Sequence, residues 1–237
     1  MRFLLVTLVT VSICNAQLSL TTIKLPSELE ETSGLELFGD NLLTLNDSGD
    51  KAVLYEFTKE GELVKSIRFY DLKNKDWEDL AGDETSYYIA DTGNNYATRE
   101  NLKIYILSKD FYPKGTIRIR YEAQKTFSKE IRNAYDAEAL AAVGDQLVLF
   151  SKNRLTLQSE IYTLPKIEGS YSLIPSASIN TESLITAADY KEEFDLMVLT
   201  GYTFEGLQYF YTLENFVANG FEKLGTSGPR VLGTCVW

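Results

Sequence analysis

The chain has 237 residues, of which 44% are hydrophobic and 12% aromatic. It carries 23 lysine and arginine residues, 34 aspartate and glutamate residues and no histidine, so its formal net charge is −11. The lack of histidine excludes Ser-His-Asp and Cys-His nucleophile systems and imidazole metal ligands, and an acidic surface repels the phosphate backbone of nucleic acids.

The first 16 residues show the three zones of a secretory signal peptide. Arg2 supplies a positive charge, residues 3–13 form an apolar and hydroxyl run, and residues 14–16 end in a small residue. This run is too short to span a bilayer as a helix, which needs about 20 residues. We therefore expect cleavage near Ala16, a secreted, periplasmic or cell-surface protein, and no membrane span; a buried N-terminal strand or helix is the alternative.

After this segment the same order of events occurs four times. An acid-bearing strand is followed by a turn, an apolar strand, a polar turn and a closing strand. The acid-bearing strands are predicted at residues 31–36, 76–81, 136–141 and 186–190, the apolar strands at 42–45, 87–90, 147–150 and 196–199, and the closing strands at 53–57, 103–107, 160–164 and 209–213.

Two further segments, residues 63–70 and 116–121, alternate between apolar and polar side chains, as half-exposed strands do. The apolar second strands instead are typical of strands buried on both faces. Repeats of about 40–50 residues in an all-β sequence favour a β-propeller. The sequence therefore predicts four-stranded antiparallel blades over residues 17–224, with four blades visible.

Three pairs of motifs carry a resemblance to a known family. They are Glu-Thr-Ser-Gly-Leu-Glu (31–36) with Asn-Asp-Ser-Gly (46–49), Asp-Trp-Glu-Asp-Leu-Ala (76–81) with Asp-Thr-Gly-Asn-Asn (91–95), and Asp-Ala-Glu-Ala-Leu (136–140) with Ser-Lys-Asn-Arg (151–154). Together they resemble a largely uncharacterised family of secreted β-propeller proteins from Bacteroidetes and, distantly, the SdiA-regulated and esterase-like phytase propellers. The resemblance implies a ring of five or six blades. Residues 225–237 lack the further inner strand that such proteins have, so we expect an irregular tail and a ring incomplete on its C-terminal side.

In a propeller the first strand of each blade lines the central axis, and here these strands bear the acidic residues. Carboxylates brought close together repel one another or require a cation, and hard oxygen ligands suit Ca²⁺ or Mg²⁺. The alternative is that these groups cap turns or face solvent. The predicted metal ligands are Glu36, Asp76, Glu78, Asp79, Asp136, Glu138 and Asp189.

The polar turns give a second set of candidates. The two acidic turns are similar to fragments of calcium loops but lack the full pattern with its final glutamate, and Asp, Asn and Gly are also what tight turns require. The basic residues of the third turn could meet an anionic ligand or form ordinary ion pairs. The predicted ligand-binding residues are Asp47, Asp91, Asn94, Arg99, Lys152 and Arg154. Trp77 could stack on a sugar or pack in the core of a blade.

These features favour a secreted binding module with an acidic central funnel, carrying Ca²⁺, for a small molecule, a glycan or a protein. Nucleic acid is not an expected partner. The first alternative is a metal-assisted hydrolase of phosphoesters or esters, with a two-carboxylate glycosidase as a variant. The second alternative is a truncated product without function.

Overall fold

The computed structural model describes residues 22–220 and 230–235, which form four sheets and two short 3-10 turns. Each sheet is one blade. The first blade consists of β1 (Thr32–Phe38), β2 (Asn41–Asn46), β3 (Val53–Phe57) and β4 (Leu63–Arg68), and the second of β5 (Asp79–Gly82), β6 (Ser86–Asp91), β7 (Lys103–Ser108) and β8 (Pro113–Tyr121).

The third blade contains β9 (Ala137–Val143), β10 (Gln146–Ser151), β11 (Gln158–Pro165) and β13 (Ala177–Asn180), whereas β12 (Gly169–Leu173) joins the second blade. The fourth contains β14 (Leu184–Lys191), β15 (Leu196–Tyr202), β16 (Gln208–Glu214) and β17 (Arg230–Cys235). The inner strands β1, β5, β9 and β14 are neighbours about one axis. The predicted all-β propeller with four antiparallel blades is confirmed.

Apolar side chains fill the space between successive blades. One buried cluster joins the first and second blades, a second joins the second and third, and a further one joins the third and fourth. The second strands β6 and β10 are buried along nearly their whole length, as their continuous apolar sequence predicts. Trp77 is fully buried in the first of these clusters and its indole N–H donates to the carbonyl of Lys73, so it packs in the core and is not available to stack on a sugar.

Three strands were not predicted. One is β13, which pairs with β11 as the outer strand of the third blade, and the other two are β12 and β17. β12 lies between two strands of the third blade but pairs in parallel with β8 at the outer edge of the second blade. β17 pairs with β16, whereas the sequence analysis expects an irregular tail over residues 225–237. For β12 and β17 the open edge of a neighbouring strand supplies backbone partners that no local pattern reveals.

The inner strands begin at one end of the axis, which we call the upper end, and finish at the lower end. Antiparallel pairing returns each second strand to the upper end, as in the pairs Thr32 with Asn46 and Asp79 with Ala90. The polar turns after β2, β6 and β10 therefore meet the beginnings of the inner strands.

Within the described residues, no helix has the length and apolar character needed to cross a membrane. The predicted signal peptide lies outside these residues.

Candidate metal centre

The upper end of the axis gathers the acidic residues that flank two neighbouring inner strands. Asp76 and Glu78 directly precede β5, while Asp136 and Glu138 lie at the start of β9. Asp47 reaches the same place from the turn after β2. Five of the predicted carboxylates therefore converge, although they come from three blades.

These five residues form two groups of three that share one member. In the open triad (Asp47, Asp76 and Glu78) and in the paired triad (Glu78, Asp136 and Glu138), one carboxylate oxygen from each residue lies within 4.8 Å of the others. Glu78 belongs to both triads. It is 3% exposed, whereas Asp47 and Asp76 are partly accessible to solvent.

Two of the three carboxylates of the paired triad, Asp136 and Glu138, are neutralised by side chains of this chain. The ammonium group of Lys152 donates to Glu138 Oε1 at 2.6 Å, and the guanidinium group of Arg154 donates to Asp136 Oδ2. The backbone N–H of Asn94 donates to Asp136 Oδ1 at 2.6 Å. Lys152 and Arg154 thus follow the ion-pair alternative of the sequence analysis.

The open triad has much weaker compensation. The guanidinium group of Arg99 lies 3.9 Å from Asp76 Oδ2, but its hydrogen bonds run to Asp91 Oδ1 at 2.7 Å and to the carbonyl of Gly93 at 2.6 Å. Arg99 therefore fixes the turn beside the triad more than it neutralises the triad itself.

Gly93 brings backbone directly against the open triad. A Cβ atom on this residue would lie 2.1 Å from Glu78 Oε1 and 2.4 Å from Asp76 Oδ2, closer than any side-chain carbon can approach. Only glycine permits this contact. The sequence around Gly93 predicts a turn residue, and nothing local in the sequence distinguishes that role from the close approach to the triad.

The negative charges of the open triad are poorly balanced by basic side chains, so a cation there would be favourable. Glu78 Oε1 is buried without a hydrogen-bond partner. Burial raises the pKa of Glu78 well above its usual value, and the carboxylates of Glu138 and Asp47 raise it further. Burial and the charge of Asp47 raise the pKa of Asp76 to about 6, against the opposing effect of Arg99.

The carboxylates of the paired triad are also desolvated, but a neighbouring basic side chain opposes the resulting rise in pKa. Burial raises the pKa of Glu138, while the ammonium group of Lys152 opposes that rise. Burial also raises the pKa of Asp91, against the opposing charge of Arg99. Lys103 lies 3.8 Å from Asp91 Oδ2 and is a member of this cluster that the sequence analysis missed, because its position at the start of β7 carries no motif.

Asp79 has a different role from its neighbours in the predicted set. Its side chain is buried on the axis, where Oδ2 accepts from the backbone N–H of Leu140 at 2.7 Å and of Ala188 at 3.3 Å, and Oδ1 accepts from its own strand at Leu80. Burial raises its pKa well above the usual value and these N–H groups oppose the rise. Asp79 therefore joins three blades rather than serving a metal at the upper end.

Glu36 and Asp189 lie towards the lower end and do not reach either triad. The carboxylate of Glu36 accepts from the N–H of Leu37 at 3.1 Å and lies beside Gly82, at the end of β5. Burial and the charge of Asp189 raise the pKa of Glu36 to about 7. The single acidic funnel expected from the sequence is thus divided between the two ends of the axis.

Comparisons with known proteins find only distant likenesses. No family model matches the chain and no curated protein matches it. It is similar to a protein of unknown function from Bacteroides caccae, with 6% identity and a TM-score of 0.43 over 86% of this chain and 59% of that one. It is also similar to Kuenenia stuttgartiensis hydrazine synthase, with 12% identity and a TM-score of 0.42 over 76% of this chain and 49% of that one.

A third similar structure is a quinonprotein alcohol dehydrogenase-like protein from Bacteroides thetaiotaomicron, with 9% identity and a TM-score of 0.39 over 85% of this chain and 44% of that one. This chain therefore spans about half the length of the solved chains that it matches. Likenesses this distant carry no argument about function, so the chain's own residues must supply it.

Proposed function

We propose that this chain is a secreted β-propeller binding module whose open triad holds a divalent cation. The observation that carries the proposal is Glu78 Oε1, a carboxylate oxygen that is buried and has no hydrogen-bond partner. An ionised carboxylate without a partner is costly to bury. A cation among Asp47, Asp76 and Glu78 would supply the missing partner of Glu78 and offset the repulsion among the three carboxylates.

The donor set favours a hard cation. Three carboxylates without histidine or cysteine suit Ca²⁺ or Mg²⁺ rather than zinc or copper. Ca²⁺ is the better fit, because it tolerates irregular geometry and mixed carboxylate binding, whereas Mg²⁺ demands a near-ideal octahedron. Secretion, predicted from residues 1–16, would place the site where extracellular calcium modules work, with dissociation constants of about 10⁻⁴–10⁻³ M.

Thermal unfolding in Ca²⁺ and in EDTA tests the proposal. A ligand that binds only the folded chain stabilises it by about 2.7 kcal/mol at a concentration 100-fold above its Kd, so we expect a higher Tm in Ca²⁺. Glu78→Gln and Asp76→Asn should each abolish this shift.

The matched control is Glu36→Gln, which removes a carboxylate at the lower end. This variant should keep the full calcium shift. A wild-type Tm that is the same in Ca²⁺ and in EDTA would contradict the proposal, and equal loss in the Glu78 and Glu36 variants would mean that the site is not at the upper end.

A metal-assisted hydrolase is the second candidate, and the environment of Asp76 favours it. This carboxylate has a raised pKa of about 6 and is partly accessible to solvent, as a general base beside a cation should be. A panel of p-nitrophenyl esters and phosphates, with Asp76→Asn as the control, tests it. Hydrolysis that requires both Ca²⁺ and Asp76 supports the enzyme, and an inert wild type leaves the binding module.

A further inference from the structure

We infer that the ligand carried by this cation is a neutral polyhydroxyl compound, that is, a carbohydrate bound through adjacent hydroxyl oxygens. The inference rests on the proposed cation site. It concerns what the bound cation presents to solvent, and it follows from the coordination that the triad leaves open and from the charge of the surrounding side chains.

The three carboxylates of the open triad supply few donors for a calcium ion. Ca²⁺ takes six to eight oxygen ligands, and three carboxylates fill these positions only if every one of them binds through both oxygens. Glu78 and the backbone of Gly93 close the buried side of the site, whereas Asp47 and Asp76 border solvent. The remaining positions therefore face outward, where water or oxygen atoms of a ligand can occupy them.

The charge of the surrounding side chains decides which oxygen atoms these are. Around Glu78 the cluster contains six carboxylates, namely Asp47, Asp76, Glu78, Asp91, Asp136 and Glu138. Among the described residues, four basic side chains form ion pairs with members of this cluster, namely Arg99, Lys103, Lys152 and Arg154. One divalent cation therefore brings the ionised cluster to neutrality.

A neutral loaded site has no excess positive charge with which to attract a carboxylate, phosphate or sulfate group. The basic side chains nearest the triads are already occupied: Lys152 by Glu138, Arg154 by Asp136, and Arg99 by Asp91. An anionic ligand that recruited one of these bases would break its ion pair and leave a buried carboxylate unpaired, which is strongly unfavourable. Adjacent hydroxyl groups carry no charge and can replace water on the cation without that penalty.

Linkage between sugar and calcium provides the test. A sugar that coordinates the cation must tighten calcium binding by the same factor by which calcium tightens sugar binding. Calcium titrations of the full chain, followed by thermal shift and by calorimetry, would be made alone and with saturating mannose, galactose or fucose. Galacturonate and glucose 6-phosphate provide the anionic counterparts.

We expect at least one neutral sugar to tighten calcium binding by about five-fold or more, and the anionic sugars to have less effect than their neutral counterparts. The inference is overturned if calcium binds but no neutral sugar alters its affinity, if sugar binds equally in EDTA, or if the anionic sugars bind more tightly. A chain that does not bind calcium at all fails the earlier proposal instead, so the two failures are distinguishable.

Variants that change the charge of the cluster while keeping all three carboxylates of the open triad sharpen the test. Asp91→Asn leaves the loaded cluster with one excess positive charge and should raise the affinity for galacturonate relative to galactose. Lys103→Gln leaves one excess negative charge and should lower that ratio. If both variants fold and neither shifts the ratio, the charge argument is wrong; if Asp91→Asn does not fold, Lys103→Gln alone decides.

Discussion

The two triads that share Glu78 place the same kind of residue in the same kind of buried surroundings and balance its charge in opposite ways. In the paired triad, Lys152 and Arg154 donate directly to the carboxylates of Glu138 and Asp136. In the open triad, the closest base is a guanidinium group 3.9 Å from Asp76 that is already hydrogen-bonded to Asp91.

The difference shows that burial of acidic residues is not by itself a metal signature. A carboxylate cluster that carries its own bases is a structural element, and we propose that the neighbouring cluster, which has weaker compensation, is a binding site. Removing a base from the paired triad should therefore lower the stability of the metal-free chain, whereas removing the charge of Glu78 should raise it.

The largest effect is expected on the paired side. Lys152→Met removes the base that donates to Glu138 and leaves this buried carboxylate with only the guanidinium group of Arg154, 3.7 Å away, so the unfolding free energy should fall by about 3 kcal/mol. Urea denaturation measures this value. Lys65→Met, at an exposed position on β4, is the matched control and should change little; a similar small change in Lys152→Met would show that the pair contributes no stability.

Gly93→Ala tests the close approach on the open side. The new methyl group would push Glu78 and Asp76 out of position, at a cost of about 2 kcal/mol as in other overpacked sites. The stabilisation by Ca²⁺ should disappear in the same variant. An alanine variant that retains the wild-type calcium shift would mean that the triad does not depend on this backbone contact.

Glu78→Gln should stabilise the metal-free protein, in contrast to Lys152→Met. The neutral amide avoids the desolvation and repulsion that act on the carboxylate, so the unfolding free energy in EDTA at alkaline pH should rise by about 1 kcal/mol, the equivalent of less than one unit of pKa. Glu138→Gln, which breaks the pair with Lys152, should lower it. The proposed difference between the two triads is contradicted if both glutamine variants change the unfolding free energy in the same direction.

The smallest effect is the pH dependence of the metal-free chain. Glu36 and Asp76 have folded-state pKa values of about 7 and about 6, above their values in the unfolded chain. Their contribution is therefore fully present below about pH 4 and is lost as the pH rises through 6 and 7. Urea melts in EDTA should show falling stability over this interval.

Added Ca²⁺ should reduce that fall, because the cation stabilises the ionised open triad, and Glu36→Gln should remove the share that comes from the lower end. A pH profile in EDTA that is flat, or that rises between pH 5 and pH 8, would contradict the assignment of these raised pKa values.

The sequence predicts the blades well because their evidence is local. Continuous apolar second strands and the acid-bearing first strands mark each repeat, and these are the strands that the structure places at the centre of each blade and along the axis. The sequence fails where pairing is decided elsewhere in the chain, as for β12, which pairs with a strand about fifty residues earlier.

The sequence identifies the acidic residues of the candidate site, but it does not show which of the selected residues lie together at the upper end of the axis. Acidic residues on inner strands identify Asp76, Glu78, Asp136 and Glu138, yet the same rule also selects Asp79, Glu36 and Asp189. Which residue faces the axis, and at what depth along a strand, depends on irregularities of pairing, such as the register shifts between Ser33 and Leu35 and between Phe150 and Ser151. The position of Lys103 likewise follows only from the folded turn.

The crossing strand β12 has a mechanical consequence for the whole ring. In most repeat proteins each unit touches only its neighbours through side-chain packing and can open or fray semi-independently. Here β12, which lies between two strands of the third blade in the sequence, forms backbone hydrogen bonds with β8 at the outer edge of the second blade. Those two blades should accordingly exchange their amide hydrogens as a single cooperative unit, while the first and fourth blades open at lower free energy on either side of it.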